Sequence, residues 1–428
     1  MTWTEVKKRT PGTEARWKIA CASVLLSVGL TGCGGALNNN DSIPASSQVN
    51  SYVGTQDSVE QGGVYGMTVD HNTNYFDFSD QSHEGSPVSY IGNFTKAADF
   101  QELNVTYTTD PQFAANPSPL PIYLLEVPGD AALLESSYQL PLVVFAGSKS
   151  CQPFTGPTTF QFIQLGSYFS GSGALQGYGT VSANPAGSNW SFSNFDLLQM
   201  DGVDEKPAQL SNGACGYGPE GYVTTIPAML GGQPIVYSVA ISPNGYFIMD
   251  RDKTFFTATS TSEALAPLAG VAQPGSPLDT KSVVTAGYAG FELDDTFSSP
   301  QVAGNSEPLT LPVLFSSANA KGGKMVGGIF PSGDPTQTPG ADIEIDLGTQ
   351  DPSHNGLYPS IAVTLPDNKG ICVGTPYAGS GPSGNPTCIF SGQAVAGNPN
   401  GKYALFITLS NPVGKFGTSA IQFLLYQQ

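Results

Sequence analysis

Short runs of apolar and β-branched residues, separated by turn residues, recur along the chain from Ser51 to its end. The first two runs, 64–69 and 75–78, flank the polar segment 70–74, and this arrangement predicts a β-hairpin. Further runs follow at intervals of about 8–12 residues, a spacing typical of meanders, sandwiches and barrels. No segment long enough for an ordinary helix shows a 3.6-residue period. The pattern therefore predicts an all-β fold of antiparallel strands.

Two segments give the clearest local predictions. In residues 342–347, strict alternation places Ile343, Ile345 and Leu347 on the core face and three carboxylates outside. Residues 241–246 contain the tetrapeptide Ser-Pro-Asn-Gly. Because proline fixes φ and Asn-Gly supplies positive φ, this segment predicts a tight turn between two strands.

The strand pattern is interrupted at residues 258–282, which are rich in Ala, Ser, Thr and Pro. Such a composition is typical of an interdomain connection. The sequence therefore predicts an N-terminal β-domain over 51–257 and a C-terminal β-domain over 283–428, with 421–426 as a closing strand. Each domain is expected to be an antiparallel meander of barrel or sandwich type. A single β-propeller is the alternative fold, but the repeat of about 40–50 residues that it requires is not found.

The N-terminus combines a basic segment with an uncharged apolar run over residues 19–30. The run is too short to cross a bilayer as a helix, which takes about 20 residues, and has the length of the apolar region of a secretory signal. It ends in the motif Leu30-Thr31-Gly32-Cys33. This motif resembles the lipobox of bacterial lipoprotein precursors.

The resemblance implies cleavage before Cys33 and attachment of a lipid to its thiol. Residues 1–32 would then be a lipoprotein signal peptide, and the polar segment 33–50 a lipidated flexible tether. The second mature residue would be Gly34, and because it is not Asp, the family rule implies the outer membrane in a Gram-negative cell. The body is expected in the periplasm or at the cell surface, with the lipid on Cys33 as its contact with the membrane.

The charge balance narrows the possible partners. The 428 residues include 16 Lys+Arg and 34 Asp+Glu, a net charge of −18. Removing residues 1–32 takes away five basic and two acidic residues, which leaves 11 against 32, or −21, with Arg251 as the one remaining arginine. Nucleic acids and anionic lipid surfaces both require clusters of Lys and Arg. The sequence therefore predicts no nucleic-acid partner and a membrane contact made by acyl chains alone.

Four cysteines remain for the exported body, and an even number in an oxidising compartment predicts two disulfides with three possible connectivities. We favour Cys151–Cys215 and Cys372–Cys388, because the second pair brackets a loop rich in Gly, Pro and Ser. A metal site is the alternative, but CxxC and CxxH spacings are missing. No metal and no other cofactor is predicted.

Candidate chemistry is weakly indicated. His71 and His83 lie near several carboxylates, but twelve residues apart they lack the spacing of a zinc site. Segment 70–74 begins like a calcium loop and then lacks the required Gly and Glu, so it is better interpreted as a hairpin turn stabilised by its own Asp and Asn. Calcium held by acidic loops as a structural element remains a further hypothesis. Nucleophile, dinucleotide and phosphate-loop motifs do not occur.

Carboxylate pairs suited to a glycosidase could be drawn from Glu292, Asp294 and Asp295, or from Asp201 with Asp204. Nothing in the sequence brings either set across a cleft, and we predict no catalytic residue. The 18 Tyr and 23 Phe would suit a binding platform as well as a core, but the sequence does not single out any of them. We therefore expect a lipid-anchored cell-envelope protein with a non-catalytic role, structural or binding a ligand or partner such as a glycan or an envelope protein. The alternative is an exported hydrolase of polysaccharide or peptide.

Overall fold

Strands account for most of the residues that the computed structural model describes. These residues are 49–56, 65–80, 88–115, 121–134, 143–147, 156–165, 168–170, 173–175, 177–186, 189–199, 204–205, 209–210, 214–218, 221–230, 233–251, 268–294, 309–367, 370, 372–380, 385–409 and 421–428. All of them belong to one compact unit, Ala45–Gln428. The predicted all-β class is confirmed, and the strands form two closed barrels with a third sheet between them in sequence.

The first barrel is a closed antiparallel meander of eight strands in chain order, since the last strand pairs back onto the first. The strands are β1 (Val49–Gln56), β2 (Tyr65–Asp70), β3 (Tyr75–Asp80), β4 (Val88–Ala97), β5 (Phe100–Thr108), β6 (Ile122–Val127), β7 (Ala131–Leu134) and β8 (Val143–Ala146). Alternation along each strand sends one set of side chains inward, among them Met67, Phe76 and Leu124. A short helix, α1 (Pro111–Ala115), packs Phe113 against Tyr90 and covers one end of the barrel.

The third sheet has ten strands and follows the first barrel in the sequence. Its members are β9 (Thr158–Gln164), β12 (Gly177–Ala186), β13 (Asn189–Gln199), β14 (Asp204–Glu205), β15 (Gln209–Leu210), β16 (Ala214–Gly218), β17 (Gly221–Leu230), β18 (Gln233–Ile241), β19 (Tyr246–Arg251) and β20 (Leu268–Ala272). A separate two-stranded hairpin consists of β10 (Tyr168–Ser170) and β11 (Gly173–Leu175). We call the ten-stranded sheet the central sheet.

The second barrel closes through a pairing of β25 with β27. Its strands are β21 (Tyr288–Asp294), β22 (Leu309–Phe315), β23 (Met325–Ile329), β24 (Ile343–Asp346), β25 (Leu357–Pro366), β27 (Pro386–Gly397), β28 (Ala404–Leu409) and β29 (Gln422–Gln427), with β26 (Ala378–Ser380) added at the end of β27. Helix α2 (Thr280–Thr285) precedes it, and 3₁₀ turns lie at Ser317–Asn319, Pro331–Gly333 and Pro399–Gly401. Asp279 caps the N-terminus of helix α2, and its carboxylate accepts a hydrogen bond from Lys281 N.

All three sheets share one hydrophobic core, which we call the junction core. The first barrel contributes outward-facing residues such as Tyr123 and Leu125, the central sheet contributes Ile248, and the second barrel contributes Phe291 and Phe406. The interiors of the two barrels and the opposite face of the central sheet form separate clusters. Each barrel is therefore apolar inside and also apolar on the outer side that meets the other sheets.

The local sequence predictions are confirmed by these elements. Ile343, Ile345 and Leu347 are fully buried on and beside β24. A tight turn joins β18 to β19, and Gly245 has a φ of 99°. This φ favours glycine, and an added Cβ would also lie 2.7 Å from the Cβ of Ala272.

The predicted linker differs from the structure. Strand β20 lies inside segment 258–282 and pairs with both β9 and β19. Small apolar residues are held in this strand by hydrogen bonds on both sides, which local composition does not reveal. The expected N-terminal domain over 51–257 also holds a closed barrel and most of a second sheet, although the domain limits themselves stay a prediction. The propeller alternative is not the architecture of the described residues.

Candidate functional site

The end of the first barrel away from α1 is closed by a buried carboxylate. Ile122 and Leu124 point inward from β6, and Glu126 continues the same alternation with a side chain 2% exposed. Each of its two carboxylate oxygens accepts two hydrogen bonds. The donors are Asn50 Nδ2 (2.8 Å) and Tyr52 OH (2.5 Å) on Oε1, and His71 Nε2 (2.8 Å) and Gln101 Nε2 (2.7 Å) on Oε2. We call these five residues the Glu126 cluster.

The hydrogen bonds and burial in this cluster shift the pKa values of Glu126, His71 and Tyr52. Burial alone raises the pKa of Glu126, but the hydrogen bond and charge of His71, helped by Tyr52 and Gln101, outweigh it and hold the pKa below its ordinary value. The hydrogen bond to Glu126 raises the pKa of His71 in turn, against a smaller lowering by burial. Burial and then the Glu126 charge raise the pKa of Tyr52 well above its ordinary value. The result is a carboxylate that stays ionised inside the barrel end.

The Glu126 cluster has the composition of an acid–base site, but its hydrogen bonds are directed inward. A carboxylate has about four acceptor positions, and four protein donors occupy those of Glu126. Tyr52 donates to this carboxylate and also accepts a hydrogen bond from Gly129 N at 3.0 Å. The arrangement therefore closes the barrel and orients His71, which is 25% exposed, at the surface of that closure.

A second buried carboxylate joins the three sheets. Asp130 lies in the turn between β6 and β7 and is 4% exposed. It accepts hydrogen bonds from Asn244 Nδ2, in the turn between β18 and β19, and from Asn400 Nδ2 at 2.5 Å, in the turn between β27 and β28. Burial and, secondarily, the Asp130 charge raise the pKa of Tyr246. Asp130 thus links one turn of each barrel to one turn of the central sheet.

The second barrel carries the predicted disulfide. Cys372 and Cys388 are bonded, with 5.5 Å between their Cα atoms, and both are fully buried. Asp367 Oδ2 accepts a hydrogen bond from Cys372 N at 2.9 Å. These three residues could hold a metal by proximity alone, but both sulfurs are used in the disulfide. The prediction Cys372–Cys388 is confirmed.

Replacing both Cys372 and Cys388 by Ala is expected to lower the free energy of unfolding by about 3 kcal/mol, because a closed loop of this size restricts the unfolded chain. The bonded residues are 16 apart in sequence. Urea denaturation of the wild type and the double variant would measure the change. Reduction of the wild type should have the same effect, and a change below about 1 kcal/mol would contradict the stapling role.

The first barrel also has a polar and aromatic outer surface away from the junction core. Cross-strand partners in an antiparallel sheet point to the same side. The register connects one row of such partners across five strands: Ser51, Thr68, Asp77, Ile91 and Tyr107. The adjacent row consists of Val49, Asp70, Tyr75, Asn93 and Asn104. We call the two rows together the outer wall.

The outer wall combines exposed apolar groups with negative charge. Tyr107 is 58% and Val49 50% exposed, and both are among the most exposed large hydrophobic side chains of the described residues. Hydrogen bonds from the backbone of Asn72 and from Thr73 lower the pKa of Asp70, so its charge is retained. Lys and Arg are missing from both rows. This surface is therefore the candidate binding site of the described chain.

The other residues singled out from the sequence lie partly in the first barrel and partly outside the described residues. His71 belongs to the Glu126 cluster, and the hairpin turn at 70–74 forms as predicted, with Asp70 Oδ1 accepting from Asn72 N at 2.8 Å. Cys33, Cys151, His83, Asp201 and Asp295 lie outside the described residues. Cys215 lies in β16, and its bridge to Cys151 stays a prediction.

Among the carboxylates considered for a glycosidase pair, Glu292 is the one whose side chain lies within the described part of the chain. Glu292 is fully buried, and it alternates with Phe291 and Leu293 of the junction core, so its side chain lies on the inner side of the second barrel. The carboxylate that does organise a barrel is Glu126, which sequence reasoning missed. The inward alternation set by Ile122 and Leu124 was the available signal.

Over the described residues, fold and site define an all-β class with two closed eight-stranded barrels, internally hydrogen-bonded carboxylates and an exposed polar and aromatic wall. No family model and no curated protein matches the chain. Among solved structures, the chain is similar to a single-site mutant of the vaccine antigen transferrin-binding protein B from Haemophilus parasuis Hp5. The identity is 7%, the coverage is 89% of this chain and 76% of that one, and the TM-score is 0.24. At that TM-score the similarity supports no inference about function.

Within the described residues, neither helix is long and apolar enough to cross a membrane.

Proposed function

We propose that this chain is a lipid-anchored cell-envelope protein whose β-body binds a partner and catalyses no reaction. The lipobox-like motif at Cys33 supports the anchor, and the polar segment after it supports a tether. Under the family rule for Gly34, the anchor lies in the outer membrane of a Gram-negative cell, with the body in the periplasm or at the surface.

The observation that carries the binding role is the outer wall. One side of the first barrel is buried in the junction core, and the side that carries Tyr107 faces solvent. By contrast, the buried carboxylates Glu126 and Asp130 accept hydrogen bonds from side chains of the fold itself. A rigid exposed wall on a closed barrel is the arrangement of a binding surface.

The anchor has a direct test with a matched control inside the signal segment. Replacing Cys33 by Ser should abolish incorporation of radiolabelled palmitate and release the protein from the membrane fraction. Replacing Cys21 by Ser should leave labelling and fractionation unchanged, because Cys21 precedes the expected cleavage site. Labelling that persists in Cys33→Ser would refute the anchor.

The non-catalytic role is tested on the full chain with chromogenic glycosides and casein. We expect no turnover above that of a buffer control. Turnover that copurifies with the chain and disappears when one Asp or Glu is replaced would establish the hydrolase alternative instead.

A further inference from the structure

We propose that the outer wall is the docking surface for a partner protein with a basic contact patch. This inference rests on the proposed partner-binding function and adds to it the site and the chemistry of the partner. It is carried by the negative charge of the wall and by the exposed side chains of Tyr107 and Val49.

The wall has the size of the central part of a protein interface. Its two rows take up about 14 Å along the strands and about 24 Å across five strands, or roughly 330 Å². A standard protein interface takes about 800 Å² from each partner. The wall would therefore supply the centre of such an interface, and the surface around it would supply the rim.

The charge of the wall selects a basic partner. Asp70 and Asp77 lie in its two rows, and Glu102 faces outward beside it, in the pair with Thr95 that lies two residue pairs beyond Asn93 and Asn104. Thr95 faces outward, and successive side chains of a strand point to opposite faces, so the side chain of the next residue, Lys96, points away from the wall. The whole chain carries −18, which steers positively charged partners towards it and repels acidic ones and anionic membranes.

The tyrosines of the wall would make direct contacts with the partner once it is bound. Tyr107 stands 58% exposed beside Ile91, and Tyr75 lies in the adjacent row. Tyrosine is enriched in protein interfaces and its ring face attracts Lys and Arg side chains. Asn93 and Asn104 between the rings can pair with backbone or amide groups of a partner. The wall thus offers apolar, cation-binding and hydrogen-bonding groups on one rigid support.

The test is site-specific photocrosslinking of the full-length chain in the cells that produce it. A benzophenone amino acid replaces Tyr107 or Val49 on the wall, and Ile389 or Val373 on the second barrel, whose side chains are 42% and 64% exposed. We expect one common protein adduct from both wall positions, with a basic isoelectric point, and none from the second barrel. Adding Glu102→Lys should lower the adduct yield at least about tenfold, because it places like charges face to face.

A matched control distinguishes an effect of the wall carboxylates from an effect of the net charge of the protein. Asp346 lies half-exposed on the outer side of β24 in the second barrel, so Asp346→Asn should leave the yield unchanged, whereas Asp77→Asn should lower it. Each variant is first required to unfold at the wild-type temperature.

Other outcomes overturn the inference in distinguishable ways. Adducts from Ile389 or Val373 alone would keep the partner-binding function and remove the wall as its site. An acidic partner, or a yield unaffected by Glu102→Lys, would refute the charge argument. A protease-resistant, sugar-containing adduct would show that the wall binds a glycan. No adduct from any of the four positions would refute both the inference and the proposed function.

Discussion

Replacing Glu126 by Ala is expected to lower the free energy of unfolding by about 5 kcal/mol, because buried donors then lose their acceptor at about 1–3 kcal/mol each. Four side chains donate to this carboxylate, which is 2% exposed. Urea denaturation followed by tyrosine fluorescence would measure the change. Glu102→Ala, on the outer side of the same barrel, is the control and should change the free energy by less than about 0.5 kcal/mol.

The pH dependence of stability provides a second readout of the same cluster. The pKa of His71 is raised above its ordinary value of 6.5, so its stabilising contribution is complete below that value and is lost as the pH rises through the raised pKa. The pKa of Glu126 is lowered from its ordinary value of 4.5, so its contribution is complete above 4.5 and is lost as the pH falls through the lowered pKa.

The unfolding temperature of the wild type should therefore fall as the pH rises above 6.5 and through the raised pKa of His71, and His71→Gln should flatten this decline. His354→Gln, at a surface position of the second barrel, serves as the control. The same alkaline decline in wild type and His71→Gln would contradict the ion pair between His71 and Glu126.

Replacing Asp130 by Ala is expected to lower the free energy of unfolding by about 4 kcal/mol, as removal of a buried charged partner does. The amides of Asn244 and Asn400 would lose their shared acceptor. Because these amides come from the central sheet and the second barrel, we also expect the single calorimetric transition to broaden or split. Asp99→Ala, an exposed turn residue of the first barrel, is the control.

An unchanged, single transition in Asp130→Ala would contradict the linking role. Asp130→Asn should fall between wild type and Asp130→Ala, because its one amide oxygen can still accept from one of the two asparagines.

Features set by neighbouring residues could be predicted from the sequence. Side chains alternate with period two, so the buried positions of β24 follow from Ile343, Ile345 and Leu347 alone. The turn at Gly245 and the bridge Cys372–Cys388 likewise depend on short stretches of chain. In each case the partners lie within about 16 residues of one another.

Features that depend on distant pairing could not be predicted in this way. The first barrel closes where β1 meets β8, and nothing in either strand marks the other as its partner. Strand β20 is held between β9 and β19 despite a composition that indicates a linker. For this reason the central sheet was not separated from the first barrel.

The candidate site was predicted only in part. His71 was recognised as a possible functional residue, but its partner Glu126 lies 55 residues away. The outer wall follows from the register of five strands, which brings Tyr107 beside Ile91 and Asp77. Sequence indicated that tyrosines could form a platform without showing which ones share a face.

The contact between Asp130 and Asn400, 270 residues apart, has a consequence for biogenesis. A chain that emerges amino-terminus first can close its leading barrel early, because all of that barrel's pairings lie within residues 49–146. Tyr123 and Leu125 would then remain exposed to solvent until the strands of the central sheet and the second barrel have formed and packed on them. We therefore expect the nascent protein to expose an aggregation-prone surface during this interval.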